Sequence, residues 1–249
     1  MDWTFSVTPL PYGAAHLAIL AAVAALCAGL WFLIRKAQER TLLRMLFWMG
    51  VCMLAAEVWK QWFVMQYVYR GTPSMWFFPW QLCSMAMYVS AVVPFLKGKT
   101  QEGALVFLCT FSVIAAAFAL LFPEDMMRDQ ILLFVHSFVY HAVMLLEGLI
   151  ALRILRRRRK ASFVPALVLY LCMAAIAEII NVVSHCLIVR DIHYDANMFY
   201  ITPFYPSTQP VFSLIAERAG IAVEILVYLG VIALAAYLLY LLESLRKKD

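Results

Sequence analysis

The chain has 249 residues, 65% of them hydrophobic and only 14% charged, with a mean hydropathy of +0.84. Such a composition excludes a soluble globular domain and identifies an integral membrane protein. The formal net charge of +5 does not mark a nucleic-acid binder, because the basic residues sit in short connections between apolar stretches.

Seven apolar stretches follow one another at 14–34, 44–67, 75–96, 103–122, 130–152, 162–186 and 219–243. Each is about 20 residues, enough to cross a hydrocarbon core of roughly 30 Å. Backbone groups facing lipid must be paired within their own segment, and the alternation of a membrane barrel is absent, so all seven are expected to be α-helices. The predicted fold class is all-α: one polytopic domain over 1–249 with seven transmembrane helices. The first stretch follows Asp2 and has no basic leader, so it is read as a retained helix.

Orientation follows from Lys and Arg, which concentrate in cytoplasmic connections. One set of flanks holds fifteen: Arg35, Lys36, Arg40, Arg44, Lys97, Lys99, Arg153, Arg156 to Arg159, Lys160, Arg246, Lys247 and Lys248. The other holds four, Arg70, Arg128, Arg190 and Arg218. The asymmetry predicts an outside N-terminus and an inside C-terminus in a multi-pass protein of the cell membrane. The basic run Arg153 to Lys160 is read as a topology anchor that attracts anionic lipid. The one long connection, 187–218, carries Arg190, Asp191, His193, Tyr194, Asp195 and three prolines, and is expected to form an ordered cap over the outer mouth.

Ionisable groups inside spans are costly, so each is a candidate site residue. His16 opens the first span. Glu57, Lys60 and Gln61 share one face of the second. Gln81 and Cys83 of the third lie about 9–12 Å below its outer end. The fourth span carries no ionisable group and is expected at the lipid-facing periphery. His136, His141 and then Glu147 descend the fifth. Glu178, Asn181 and His185 form a stripe on the sixth, and Glu224 belongs to the outer part of the seventh, which is expected to begin early, near Ser213, with Glu217 and Glu224 on one face. Apart from Glu147, which lies nearer the cytoplasmic side, these residues gather in the outer half of the bundle, the expected place of a polar cavity.

No cofactor is expected. The six cysteines show no CxxC pairing, and His136 and His141 stand about 140° apart on a helix, too far round to chelate one metal. A haem held by histidines of two helices is the weaker alternative.

The residues resemble the YwaF-type bacterial integral membrane proteins, relatives of eukaryotic transmembrane protein 164. The likeness rests on Phe5 to His16, Glu57-x-x-Lys60, Pro79-Trp-Gln-Leu-Cys83, His136 to His141, and Asn197 to Pro206. It implies a seven-helix membrane protein whose eukaryotic relative looks like a phospholipid acyltransferase using a Cys and a His, here Cys83 and His141. The family's usual Pro-Leu-His-Leu-Cys is replaced by Trp80 and Gln81 at its second and third positions, and an amide cannot act as a base. Acyl transfer needs a nucleophile, a base and oxyanion donors, which Cys83, His141 or His136, and Gln81 or Asn181 would supply, with Glu178 or Glu57 orienting the histidine. Cys83 needs a facing imidazole or the Lys60 ammonium to become a thiolate. The expected function is a lipid acyltransferase or hydrolase acting on a phospholipid or acyl substrate, with membrane lipids as partners. Two alternatives stand beside it: a transporter or ion-binding module lined by Glu57, Lys60, Glu178 and Glu224, and a structural or sensory seven-helix protein.

Overall fold

The computed structural model describes residues 3–72, 74–158, 161–189 and 193–245. Arg159, Lys160, Arg190, Asp191, Arg246, Lys247 and Lys248, which figure in the charge asymmetry and the long connection, lie outside the described residues. The helices are α1 (Ala14–Leu33), α2 (Glu39–Phe63), α3 (Met85–Val92), α4 (Gly98–Phe107), α5 (Val113–Leu121), α6 (Ile131–Arg157), α7 (Val164–Val183), α8 (Pro210–Ala219) and α9 (Ile221–Leu245). The described residues contain no β-strand beyond an isolated bridge between Thr4 and Gln130. With short flanking turns included, six helical stretches are long and apolar enough to cross a bilayer, from Ala14–Lys36 to Ile221–Ser244.

The expected third helix over 75–96 is corrected. Only Leu82–Phe95 is helical, and residues 75–81 form turns and irregular backbone. Pro79 is the physical reason: it lacks an N–H, clashes with the carbonyl four residues back and pushes Phe78 out of helical dihedrals. Fourteen residues of helix rise roughly 21 Å, short of a full crossing. Irregular backbone survives at membrane depth only when protein groups satisfy it, and here they do. The Met75 N–H donates to the Tyr194 carbonyl at 2.6 Å. Gln61 Nε2 donates to the Phe77 carbonyl at 2.5 Å, and the Tyr88 hydroxyl to the Pro79 carbonyl at 3.0 Å.

The 187–218 connection is corrected too. It does not merely cap one end of the bundle: Asp195 to Phe199, Ile201 and Thr202 are all buried. The Phe199 ring reaches Tyr170 of α7, with centroids 6.1 Å apart. We call this the loop end of the bundle, and the opposite one the basic end, where Arg158 pairs with Glu39 and bonds Gln101, and Arg156 pairs with Glu243.

A third correction concerns the fourth span. Of its most apolar window 67% is buried, against 11% for the first and last spans, so it stands at the centre. Composition could not decide this, because lipid tails are as apolar as leucine and a charge-free helix suits either place. A π-turn at Leu108–Ser112 joins α4 to α5 and packs against α6. Gly148 permits that approach: a Cβ there would come within 2.2 Å of Val113 Cγ2. Gly50 does the same between α2 and α3, where a Cβ would lie 2.5 Å from the Ala91 nitrogen. The expected early start of the last helix is also corrected. Helix does begin at Pro210, but it breaks at Gly220 with φ of 90°, leaving Glu217 exposed and Glu224 buried.

Candidate functional site

The Gly50 contact draws α2 against the short α3, so the polar face of α2 meets the start of the broken span. Glu57, 4% exposed, pairs with Lys60 Nζ at 2.7 Å and accepts from Gln61 Nε2 at 2.7 Å. The i, i+3, i+4 spacing thus yields one connected cluster. Lys60 lies within electrostatic reach of Cys83, His136 and His141. It is the charge these three candidates share.

Cys83 stands in the Leu82–Ser84 turn, the first turn of the helical half of the broken span. It is half-buried, with the phenols of Tyr140, Tyr200 and Tyr228 within electrostatic reach. A helix start presents unpaired N–H groups and the positive end of the dipole, which stabilise an anion.

On α6, His141 Nδ1 lies 2.7 Å from the Ser137 carbonyl. That contact requires the proton on Nδ1 and leaves Nε2 with a lone pair, the tautomer a general base needs. His136 stacks on Tyr140 at 5.6 Å, and its Nε2 and the Tyr140 hydroxyl are both buried without a hydrogen-bond partner. No hydrogen bond joins Cys83 to either histidine in this resting arrangement. Farther toward the basic end, Glu147 is fully buried beside Ser90, and neither carboxyl oxygen has a partner.

The remaining candidates hold the buried loop. Asn181 brackets Met198: the Met198 N–H donates to Asn181 Oδ1 at 2.6 Å and Asn181 Nδ2 donates to the Met198 carbonyl at 3.1 Å. Gln81 brackets the flanking residues, donating to the Asn197 carbonyl and accepting from the Phe199 N–H, both at 2.8 Å. Phe199 and Tyr200 are held at φ of 58° and 56°, dihedrals that non-glycine residues rarely adopt. His185 Nδ1 contacts Asp195 Oδ2 at 2.7 Å, and its ring stacks on Phe204 at 3.7 Å. Asp195 Oδ1 accepts from Ser184 Oγ and the Ala196 N–H. His16 lies apart, between the Tyr12 N–H and the Leu120 carbonyl, and joins α1 to α5. One oxygen of Glu178 and both of Glu224 are buried without partners, Glu224 close to Ser207.

Above Lys60 a cavity of about 390 Å³ opens at the loop end. Phe77 lines it, with the Lys60 ammonium 5.8 Å from its ring centroid and the Arg128 guanidinium 5.2 Å. The described residues contain no group of three or more His, Cys, Asp or Glu placed to hold a metal ion.

The model of the TMEM164 family matches residues 11–242, from before the first span to the end of the last. The chain belongs to the TMEM164 family. No curated protein and no solved structure matches this TMEM164-family chain. Within it, sequence reasoning passed over Tyr140, Asp195 and Arg128. Tyr140 is not among the sequence candidates, although its spacing of four from His136 marks the same face. Asp195 was one polar residue of a loop, with nothing local to reveal its burial. Arg128 entered only as a topology charge.

Proposed function

We propose that this TMEM164-family protein is a membrane-embedded lipid acyltransferase or hydrolase, with Cys83 as nucleophile and His141, or secondarily His136, as base. The observation that carries the reading is the position of Cys83 at a helix start inside the bundle, with Lys60 in reach of both the thiol and His141. In the proposed reaction His141 Nε2 takes the thiol proton as sulfur attacks the ester carbonyl of a phospholipid. The tetrahedral oxyanion collapses, the glycerol oxygen leaves with the proton returned by the imidazolium, and a thioester remains on Cys83. A second hydroxyl, or water, then attacks that thioester and restores the thiol. Tyr140, unpartnered and near Cys83, is the proposed oxyanion donor. Gln81 and Asn181 have given their donors to the loop.

We place the N-terminus and the loop end outside the cell membrane and the basic end inside, on the Lys and Arg asymmetry. Leu82–Phe95 with residues 75–81 would make the third of seven crossings, and the chain would belong to the YwaF-type bacterial branch. A transporter reading draws on Glu147, a buried and unpartnered carboxyl toward the basic end. A purely structural role is opposed by the bare His136 Nε2, Tyr140 hydroxyl and Glu147 oxygens, which such a role would pair.

Incubation with an alkyne-tagged phospholipid should leave a hydroxylamine-labile acyl label on the wild-type protein and none on Cys83→Ala at equal expression. His141→Ala should slow labelling by about 10²-fold or more. Equal labelling of Cys83→Ala would sink the proposal.

A further inference from the structure

The cavity at the loop end is lined by Phe77 and Arg128 but by neither Cys83 nor Lys60. Lys60, 5.8 Å from the Phe77 centroid, is paired with Glu57 at 2.7 Å. Arg128, at the cavity, has no carboxylate within 4.0 Å among the described residues. Its neighbour Asp129 is exposed and turns to the N-terminal segment, accepting from the Thr8 hydroxyl with one side-chain oxygen and from the Phe5 N–H with its carbonyl. No Asp or Glu lines the cavity. The wall does contain donors: Gln130, the hydroxyl of Thr208, and Asn197. Asn197 is 1% exposed, its Oδ1 accepts from the Thr202 N–H at 3.2 Å, and its Nδ2 is left without a partner.

We propose that this cavity is a subsite for the phosphate of an amphiphile, with Arg128 as counter-charge and the Thr208 hydroxyl and Gln130 amide as neutral donors. A guanidinium fork matches phosphate oxygens in pairs. The volume falls in the range of about 300–1,000 Å³ typical of ligand pockets, and aromatic surface from Trp76 and Phe77 suits a ligand with an apolar part. The subsite needs no chemistry at Cys83. Binding and acyl transfer can therefore fail independently.

The test uses the full chain in dodecyl maltoside, a detergent without phosphate. Dihexanoyl phosphatidic acid, dihexanoylglycerol and inorganic phosphate are titrated separately and binding is read by native mass spectrometry. Phosphatidic acid should bind, dihexanoylglycerol should bind about tenfold more weakly, and Cys83→Ala should bind as the wild type does. Arg128→Gln should weaken phosphatidic acid about tenfold, with Arg128→Lys retaining part of the affinity. Thr208→Val, an exposed position, provides a second and milder loss should Arg128→Gln fold poorly. Binding of inorganic phosphate as tight as that of phosphatidic acid would support the anion site and make its ligand a soluble phosphate. Equal affinity for phosphatidic acid and dihexanoylglycerol, or unchanged affinity in well-folded Arg128→Gln, would overturn the proposal.

Discussion

At the scale of single residues, two carboxamides act as peptide groups. Asn181 and Gln81 each present an N–H and a C=O to the strained 197–199 turn, as an adjacent strand would. Replacing Asn181 with Ala leaves the buried Met198 N–H unpaired, at about 1–3 kcal/mol, while the Met198 carbonyl keeps the Ile201 N–H at 3.4 Å. Asn181→Ala should therefore lose about 2 kcal/mol of stability in detergent, seen as a lower midpoint of chemical unfolding, whereas Cys83→Ala should shift it little. The clustering of Glu57, Lys60 and Gln61 was legible from their spacing alone, because helical periodicity dictates it. The work of Gln81 was not, since its partners lie 116 and 118 residues away. A polar residue in an apolar stretch announces that something must pair with it, but not what.

At the scale of elements, the bundle contains two segments of irregular chain that complete each other, 75–81 and 194–199. Pro79 and the proline-rich connection were visible signals of broken helix, yet mean apolarity over 75–96 outweighed them. The opposite error befell the fourth span, whose lack of charge suited lipid and core equally. The loop itself is held by Tyr205, whose hydroxyl donates to the Ala196 carbonyl at 3.0 Å. Burial first, and then the nearby Asp195 carboxylate, push this phenol above its usual value of 10.0. A raised value in the folded state means that the contribution of Tyr205 is fully present below about pH 10, the unfolded phenol's range, and is lost as pH rises through the higher folded value. Melting temperature measured from pH 8 to 11.5 should fall steeply above about pH 10 in the wild type. The fall should be shallower in Tyr205→Phe, and superimposable curves would contradict the assigned role.

At the scale of the whole molecule, polarity is divided between the ends. The Arg156–Glu243 and Arg158–Glu39 pairs mark one end, and a cavity holding Arg128 beside a buried loop marks the other. This division was legible because charge and hydropathy are properties of the chain itself. The number of complete helical crossings was not, because it depends on contacts made across the bundle. The pairing of the two irregular segments also bears on how the protein is made. Residues 75–81 enter the membrane well over a hundred residues before Tyr194, Asn197 and Phe199, their partners, have been synthesised. Under the proposed topology, the Gln81 amide and the backbone of residues 75–81 until then have no lasting partners in hydrocarbon, and the nascent chain offers membrane proteases an unfinished span. A chain stopped after residue 189 should be degraded several-fold faster than the full chain in a pulse-chase measurement, with full-length Asn181→Ala between the two. Equal half-lives would mean that the third crossing matures without its distant partner. Completion of a span early in this protein is thus timed by translation of its last quarter.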